Sequence, residues 1–314
     1  MAVPLHIAAG VLDVVVIGGG PAGLSAALML GRCRRRVLVC DSGHPRNASA
    51  RALHGYLTRD GIPPPRLLEI GREELRPYGV ELRHVTVVDV ACTPEGFAVH
   101  LDTGEQLASR KLLVATGVRD HLPDLEGLAD CYGISVHHCP YCDGWEVRDR
   151  SLAVVGSGSG AAGLALSLKT WSQHVVICSN GRARIPRPHR DRLAAKGIQV
   201  IERRIERVDH EEGHIRRLVM RDGTDVACEA VFFSGRQSPQ CDLARRLGCE
   251  FTRKGTVQTD HLGQTRVPGL YVVGDASRDV QFVIVAAAEG AKAAVAINKA
   301  LQETAGLTVV PAQA

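Results

Sequence analysis

The sequence predicts an α/β protein with two parallel-sheet domains, because one local pattern occurs twice. In the first copy, the β-branched run DVVVI at residues 13–17 leads into the turn GGGPAG and a helix-forming stretch that ends at Leu30. The second copy has an apolar run at residues 152–155, the turn GSGSG and a small-residue helix that ends at Lys169. Strand, glycine turn and helix in this order are typical of Rossmann-like dinucleotide-binding domains.

Each copy is followed by a second apolar run that completes a βαβ unit. These runs are Val37–Cys40 in the first copy and Val175–Cys178 in the second. Parallel strands that are joined by one helix usually lie in the same sheet. We therefore expect two separate parallel sheets.

The stretch between the two units predicts a helix and an antiparallel meander. A proline-rich connection at residues 62–65 precedes a predicted helix that ends at Tyr78. Apolar and polar side chains then alternate at residues 96–101, as in a half-buried strand. A further apolar strand is predicted at residues 111–115.

The C-terminal part predicts two more strands and a long helix. The strands cover residues 230–233 and 269–273, and Gly274 and Asp275 follow the second one. The alanine-rich stretch at residues 283–301 predicts a helix. We expect this helix to return to the first domain.

Composition excludes several classes of protein. The 314 residues carry 38 Lys and Arg against 34 Asp and Glu, a net charge of +4, and 45% of them are apolar. An apolar run of about 18 residues, which a membrane span needs, is absent from the sequence, and without a clustered basic face this charge does not indicate nucleic-acid binding. Residues 1–20 lack a basic leader and run into the glycine turn, so we predict a strand there and a cytoplasmic protein.

The first glycine turn predicts a dinucleotide site. Gly18, Gly20 and Gly23 have the GxGxxG spacing, in which glycines permit the turn, let backbone N–H groups approach a pyrophosphate and bring the helix onto the strand. The next strand ends at Asp41, 18 residues after Gly23. A carboxylate at this position would meet a ribose hydroxyl.

Cys139 and Cys142 have the spacing of a redox-active disulfide. With ten cysteines in the chain, about 0.3 such pairs arise by chance, so their position carries more weight than their spacing. The pair precedes the second dinucleotide strand, and Asp143 follows it as an acid that could transfer protons. His137 and His138 are adjacent and cannot readily complete one tetrahedral zinc site, so we predict no metal. One of these histidines could act as an acid or base near the thiols.

Four motifs in the same order resemble those of the low-molecular-weight thioredoxin reductases and their thioredoxin-reductase-like relatives. They are GGGPAG at residues 18–23, ATG at residues 115–117, CPYCDG at residues 139–144, and Gly274 with Asp275. The resemblance extends over nearly the whole chain. It implies a homodimeric flavin disulfide oxidoreductase that contains FAD and acts on a thioredoxin-like protein or on a small dithiol or disulfide.

The resemblance also implies how the domains are arranged. The FAD-binding domain would be discontinuous and consist of residues 1–118 and 249–314. The second Rossmann-like domain, residues 119–248, would be inserted between these parts and would carry the redox pair.

Roles for individual residues follow from the same resemblance. Cys142 would be the thiol nearest the flavin, Cys139 the thiol that exchanges with the substrate, and Asp143 the acid and base. Asp275 would bind near the ribityl and phosphate groups, and Gln281 would approach the isoalloxazine. The predicted FAD-binding residues are Gly18, Gly20, Pro21, Ala22, Gly23, Asp41, Thr116, Gly117, Gly274, Asp275 and Gln281.

The second glycine turn departs from the family, which makes NADPH doubtful. NADPH-dependent members have a His-Arg-Arg type cluster after the next strand, because paired guanidinium groups bind the 2′-phosphate. Here the chain reads CSNG at residues 178–181. Arg182, Arg184 and Arg187 are the remaining candidates for that contact.

Three functions stay open at this point. The first is a reductase that passes electrons from an uncertain donor, such as a ferredoxin, through FAD and the cysteine pair to a partner disulfide. The second is a dithiol oxidase that closes a disulfide in a small molecule with oxygen as acceptor, which the missing phosphate arginines favour. The third is a non-catalytic redox or nucleotide sensor, which leaves the thiol pair without a use.

Overall fold

The computed structural model describes residues 10–277 and 280–307, so the predicted strand over residues 1–20 lies partly outside the described residues. The strands in this range are β1 (Leu12–Ile17), β2 (Val37–Cys40), β3 (Glu81–Arg83), β4 (Val87–Thr93), β5 (Gly96–Leu101), β6 (Gln106–Val114), β7 (Val118–His121), β8 (Val136–His137), β9 (Leu152–Val155), β10 (Val175–Cys178), β11 (Gln199–Ile201), β12 (Ile205–Glu211), β13 (His214–Met220), β14 (Asp225–Ala227), β15 (Ala230–Phe233), β16 (Arg236–Pro239) and β17 (Leu270–Val272). The α-helices are α1 (Pro21–Arg32), α2 (Pro64–Leu75), α3 (Pro140–Asp143), α4 (Gly158–Leu168), α5 (Arg187–Ala195), α6 (Leu243–Arg246) and α7 (Val283–Thr304).

Two helices differ from the prediction at their ends for local reasons. Helix α1 begins at Pro21, inside the glycine turn, because proline suits the first helical position, where no N–H partner is needed. Helix α2 ends at Leu75, and a 3₁₀ turn over Arg76–Tyr78 completes the predicted segment. Pro77 lies in that turn and cannot donate the hydrogen bond that would continue an α-helix.

A seven-stranded sheet forms the centre of the first domain. Strands β3, β2, β1 and β6 are parallel in this order, and β17 pairs with the C-terminal half of β6. Strands β5 and β4 continue from the N-terminal half of β6 as the predicted antiparallel meander. Strand β6 is longer than predicted because its two halves pair with different neighbours on one side.

Helices α1 and α7 cover one face of this sheet. Ala286, Ala293 and Ile297 of α7 share a core with Val14 and Val16 of β1, which confirms that the C-terminal helix returns to the first domain. The other face packs against Leu243 and Ala244 of α6, among other residues. Buried residues of both chain ends therefore form one domain.

A five-stranded parallel sheet in the order β11, β10, β9, β15, β8 forms the second domain. Helices α4 and α5 bury Ala161, Ala165 and Leu193 against one face. The antiparallel strands β12, β13 and β14 bury Ile205 and Leu218, among others, against the other face. Both Rossmann-like sheets predicted from the glycine turns are confirmed.

Two short strands connect the domains. Strand β7 leaves the first domain, β16 returns to it, and the two pair antiparallel from Val118 opposite Pro239 to His121 opposite Arg236. Their sequences, VRDH and RQSP, are polar and show no strand pattern. For that reason sequence analysis missed them. No helix within the described ranges is long and apolar enough to cross a lipid bilayer.

Candidate functional site

A cavity of about 590 Å³ runs along the carboxyl ends of β1, β2, β6 and β17 and reaches the segment that carries the cysteine pair. Ligands of open parallel sheets bind at this edge. The predicted FAD-binding residues that line the cavity are Gly18, Gly20, Pro21, Ala22, Asp41, Thr116, Gly117, Gly274, Asp275 and Gln281. Gly23 lies behind the turn, where a Cβ would overlap with the carbonyl oxygen of Gly18.

The first glycine turn leaves an open place for an anion. Gly18 has a φ of +110°, and a Cβ there would overlap with the carbonyl oxygen of Ala115. At Gly20, by contrast, a Cβ would meet no atom within 4 Å, so the space in front of the turn is free. Helix α1 begins here without a capping side chain and without an acid in its first turn. Its N-terminal N–H groups therefore suit the pyrophosphate of a dinucleotide.

Asp41 is fixed in the wall of the cavity at the end of β2. One carboxylate oxygen accepts the Gly43 N–H at 3.1 Å, and the other accepts Arg72 Nη2 at 2.9 Å. The side chain also lies against Gly19, where a Cβ would overlap with the carboxylate. Arg72 comes from α2, and no local sequence pattern indicates its contact with a residue 31 positions away.

A half-buried cluster around Arg46 joins four segments of the chain. The guanidinium group donates to both oxygens of Asp120 at 2.6 and 2.8 Å, and to Asp275 and Gln281 at 2.7 Å each. Its Nη2 also lies 3.1 Å from His138 Nε2. We call Arg46 and these four partners the Arg46 cluster. Sequence analysis missed Arg46 because the loop after β2 contains no recognisable motif.

The hydrogen bonds of the Arg46 cluster fix the form of His138. Because arginine can only donate, His138 Nε2 accepts, and its Nδ1 carries the proton toward the Tyr132 hydroxyl 3.1 Å away. The hydroxyl in turn donates to Asp120 at 3.4 Å. Burial lowers the pKa of His138, which keeps the ring neutral.

Opposing effects act on the two charged ends of the cluster. Burial alone would raise the pKa of Asp120, but the hydrogen bond and charge of Arg46 hold it below its usual value. Burial would likewise lower the pKa of Arg46, and its bonds to Asp120 and Asp275 raise it instead. Arg46 and Asp120 are therefore ionised at neutral pH beside the neutral ring of His138.

Cys139 and Cys142 form a disulfide with their Cα atoms 5.3 Å apart. Cys139 directly precedes the single turn of α3 and Cys142 lies within it, and the Asp143 N–H donates to the Cys139 carbonyl at 3.2 Å. Cys142 and Asp143 line the cavity, whereas Cys139 does not belong to its wall. Tyr141, between the two cysteines, is 71% exposed.

Neither of the adjacent histidines, His137 and His138, is exposed at the surface. His138 belongs to the Arg46 cluster, and the side chain of His137 is only 7% exposed. The Nδ1 of His137 lies 3.3 Å from Asp143 Oδ1. In the part of the chain that the structure describes, no group of three or more His, Cys, Asp and Glu side chains could hold a metal ion.

The second glycine turn lies at the surface, with Ser157, Ser159 and Gly160 exposed. The Gly158 N–H, in the middle of the turn, donates to the Ala183 carbonyl at 2.7 Å. A Cβ on Gly158 would meet no atom within 4 Å. A Cβ on Gly160 would lie 2.7 Å from Ser234 Oγ. Among the candidates for a phosphate contact, Arg182, Arg184 and Arg187 are exposed. No residue of this turn lines the cavity described above.

Comparison with known proteins gives consistent matches over most of the chain. Residues 12–290 match the pyridine nucleotide-disulphide oxidoreductase family. A probable thioredoxin reductase of Arthroderma benhamiae is 31% identical over 85% of this chain and 74% of its own length. Thioredoxin reductase aclD of Aspergillus oryzae is 30% identical over 93% of this chain and 96% of its own.

Solved structures with similar folds agree with these matches. The crystal structure of HlmI is 40% identical, covers 97% of both chains and superposes with a TM-score of 0.91. A putative thioredoxin reductase TrxB from Bacillus anthracis is 32% identical, with a TM-score of 0.89 over 94% of this chain and 99% of its own.

Proposed function

We propose that this chain, which belongs to the pyridine nucleotide-disulphide oxidoreductase family, moves electrons between FAD, the Cys139–Cys142 pair and the disulfide or dithiol of a partner. The protein is a thioredoxin-reductase-like oxidoreductase of a flavin-dependent family. One observation carries the finer proposal. Cys142 lines the same cavity as the open cradle at Gly20.

The residues of the cavity fit FAD. The cradle at Gly20 and the N-terminus of α1 would hold the pyrophosphate, and Asp41 would bind the adenosine ribose. Asp275 and Gln281 would face the ribityl and ring part, where Arg46 holds both side chains in place. When bound, FAD supplies a group that accepts or donates an electron pair beside Cys142.

The cysteine pair would carry the exchange with the partner. In the reducing direction, the Cys139 thiolate attacks one sulfur of the partner disulfide, and the other partner sulfur leaves as a thiolate. Cys142 then attacks Cys139 Sγ, which re-forms their disulfide and releases the reduced partner. Asp143, at the edge of the cavity, would take the thiol proton and return it to the leaving sulfur.

We place FAD binding in the two chain ends, residues 1–118 and 249–314, and the redox pair in the inserted domain, residues 119–248. The pairing of β7 with β16 supports one crossing out of the first domain and one return. Leu243 and Ala244 pack on the first sheet. We therefore move the C-terminal boundary of the inserted domain from residue 248 back to the end of β16.

A thioredoxin-like protein is the partner that the relatives' names suggest, and a homodimer is the assembly that the resemblance implies. Exposed Tyr141 would offer an apolar contact beside the disulfide to such a partner. Light scattering on the purified protein tests the dimer, and a mass of about 34 kDa in solution would contradict it.

A dithiol oxidase is the second candidate, and the second glycine turn favours it, because its Gly158 N–H is bonded to the Ala183 carbonyl and Ser179 and Asn180 follow β10 in place of paired arginines. If NADPH has no place there, electrons must enter from another donor, such as a ferredoxin, or from the dithiol itself with oxygen as acceptor. A non-catalytic sensor is the least supported function, since it gives the disulfide beside the cavity no role.

Anaerobic titration of the FAD-bound protein separates these functions. We expect dithionite or a small dithiol to bleach the flavin absorbance band, while NADPH and NADH leave it unchanged. Rapid bleaching by NADPH would instead support an ordinary NADPH-dependent reductase. Oxygen uptake and peroxide formation with small dithiols would support the oxidase over the reductase.

The cysteine pair provides a matched test. Cys139→Ser should lower turnover with any partner by at least about a hundredfold, because the exchanging thiolate is lost. Cys33→Ser, which changes an exposed cysteine outside the cavity, should leave turnover unchanged. Equal turnover of Cys139→Ser and the unmodified protein would refute the proposed exchange.

A further inference from the structure

The two histidines before the disulfide differ in what their ring nitrogens contact. Both nitrogens of His138 are engaged, one by Arg46 and one by Tyr132. His137 faces Asp143 with Nδ1, and its buried Nε2 has no hydrogen-bond partner among residues 10–277 and 280–307. The two neighbours therefore serve different purposes.

His137 is held firmly in place. It ends β8, where it lies opposite Phe232 of β15, and the centroids of these two rings are 5.4 Å apart. Its side chain is 7% exposed, whereas that of Asp143 is 24% exposed, and both residues line the cavity. A rigid, buried ring thus backs a carboxylate that is open to the cavity.

Packing alone does not explain a histidine at this position. A phenyl or aliphatic side chain could fill the same space without burying an unpartnered nitrogen, which disfavours folding. The contact that a hydrocarbon cannot replace is the one between Nδ1 and Asp143 Oδ1. At an ion-pair distance, an N–H group attracts and orients a carboxylate.

We propose that His137 is a positioning residue, which holds the Asp143 carboxylate beside Cys142 through its Nδ1–H group. This inference rests on the proposed thiol–disulfide exchange. In each cycle a thiol of the pair gives its proton to Asp143 and becomes a thiolate, and the same proton later returns to a leaving thiolate. No electrons move in this step, and His137 keeps its own proton.

The test measures how fast the flavin is reduced through the cysteine pair. Excess dithiothreitol is mixed anaerobically with the FAD-bound protein, and the limiting rate and half-saturating concentration of flavin bleaching are recorded. His137→Leu removes the N–H group, while His137→Asn keeps one near the position of Nδ1. His214→Asn, on an exposed residue of β13, is the control for the substitution itself.

We expect His137→Leu to lower the limiting rate about tenfold and to change the half-saturating concentration less than about twofold. His137→Asn should keep the rate within about threefold, since it restores the donor. In an Asp143→Asn background, His137→Leu should have no further effect, because it acts through that carboxylate.

Several results would overturn the proposal. They are an unchanged rate in His137→Leu, an equal loss in His137→Asn, and effects of the two sites that simply multiply. If His137→Leu does not fold, His137→Phe provides a second donor-free ring that can still pack on Phe232. If dithiothreitol leaves the unmodified protein's flavin unbleached, the proposed function fails. The role of His137 is then tested by the rate at which iodoacetamide alkylates the reduced pair. We expect a slower reaction in His137→Leu than in His137→Asn, and equal rates would refute the positioning role.

Discussion

The two glycine turns of this protein begin alike and end differently. Each follows a buried strand and starts a helix of small residues, yet the first opens onto the large cavity, whereas in the second the Gly158 N–H donates to the Ala183 carbonyl of its own domain. Gly20 and Gly158 are each the third residue after their strand, and both have free space where a Cβ would stand. The two turns therefore differ in what surrounds them and not in their own shape.

The difference arises from the chain after the second strand of each unit. After β2 the chain moves away and returns Arg46 to the rim of the cavity. After β10 it returns to the turn, where the Ala183 carbonyl accepts the Gly158 N–H, because Ala183 and Ile185 are buried in the core of the second domain. A dinucleotide motif therefore offers its backbone N–H groups to a ligand only if the following loop does not use them.

The loop after β10 also uses its polar side chains internally. Ser179 Oγ donates to the Ile201 carbonyl at 3.1 Å, and Asn180 Oδ1 accepts the Ile205 N–H at 2.9 Å. Ser179 and Asn180 stand where NADPH-dependent members of the thioredoxin reductase family, which the chain resembles, carry basic side chains. Their hydrogen bonds stabilise the loop that leads to Ala183.

The largest expected effect breaks the first turn. Gly20→Val should allow folding, because φ at this residue is −76° and the Cβ meets no protein atom, but it would occupy the phosphate cradle. We expect bound flavin to fall at least about tenfold. Gly163→Val in α4, also with free space around it, should keep the flavin. The flavin-to-protein absorbance ratio after purification measures how much flavin each variant retains. Equal ratios in the two variants would contradict the assignment of FAD binding to the first turn.

A smaller effect concerns the ion pairs beside each turn. Arg46→Met should lower the free energy of unfolding by about 3 kcal/mol, because it leaves the nearly buried Asp120 carboxylate without its cation. Arg190→Met breaks the pair with Glu202 near the second turn, where both side chains are 42% exposed. The Arg190→Met variant should lose less than about 1 kcal/mol of unfolding free energy. Urea unfolding of the two variants measures how much unfolding free energy each one loses. Equal losses would contradict the prediction.

Acid should weaken the Arg46 cluster before it affects the second turn. The pKa of His138 is lowered by folding, so below about pH 6.5 the unfolded chain binds more protons and stability falls with pH. The pKa of Asp120 is also lowered in the folded protein, so its contribution is lost below about pH 4 as the pH falls through the folded value. Unfolding by urea from pH 8 to pH 4 should show this decline, and His138→Gln should flatten its first part.

The smallest effect is expected at the exposed arginines of the second domain. Arg182→Ala and Arg184→Ala should each change the free energy of unfolding by less than about 0.5 kcal/mol. Neither should alter the response of the flavin to NADPH. If NADPH bleaches the flavin and either variant slows that reaction, the second turn binds the nucleotide after all.

Much of the fold follows from local patterns in the sequence. The runs Val37–Cys40, Val175–Cys178 and Leu152–Val155 are strands with the predicted bounds, because an uninterrupted β-branched run suits a parallel strand buried on both faces. The linker strands β7 and β16 escaped prediction since each is stabilised by the other, 115 or more residues away, and not by its own composition.

The candidate site divides in the same way. The glycine turn, Asp41, the cysteine pair and Asp143 could be predicted because each belongs to a short motif with a fixed spacing. Arg46, Asp120 and Arg72 could not, since they come from a loop, a strand and a helix far apart in the chain and have no motif of their own.

The sequence by itself determined the two βαβ units, the disulfide spacing and the family resemblance, all of which depend on residues close together in the chain. Tertiary structure alone decided that one turn lines the large cavity and that the Gly158 N–H of the other is bonded within its own domain. It also decided that His138 is locked in a charged cluster while His137 faces Asp143. The physical reason is that cavities and buried ion clusters form from distant segments, whose packing no local pattern encodes.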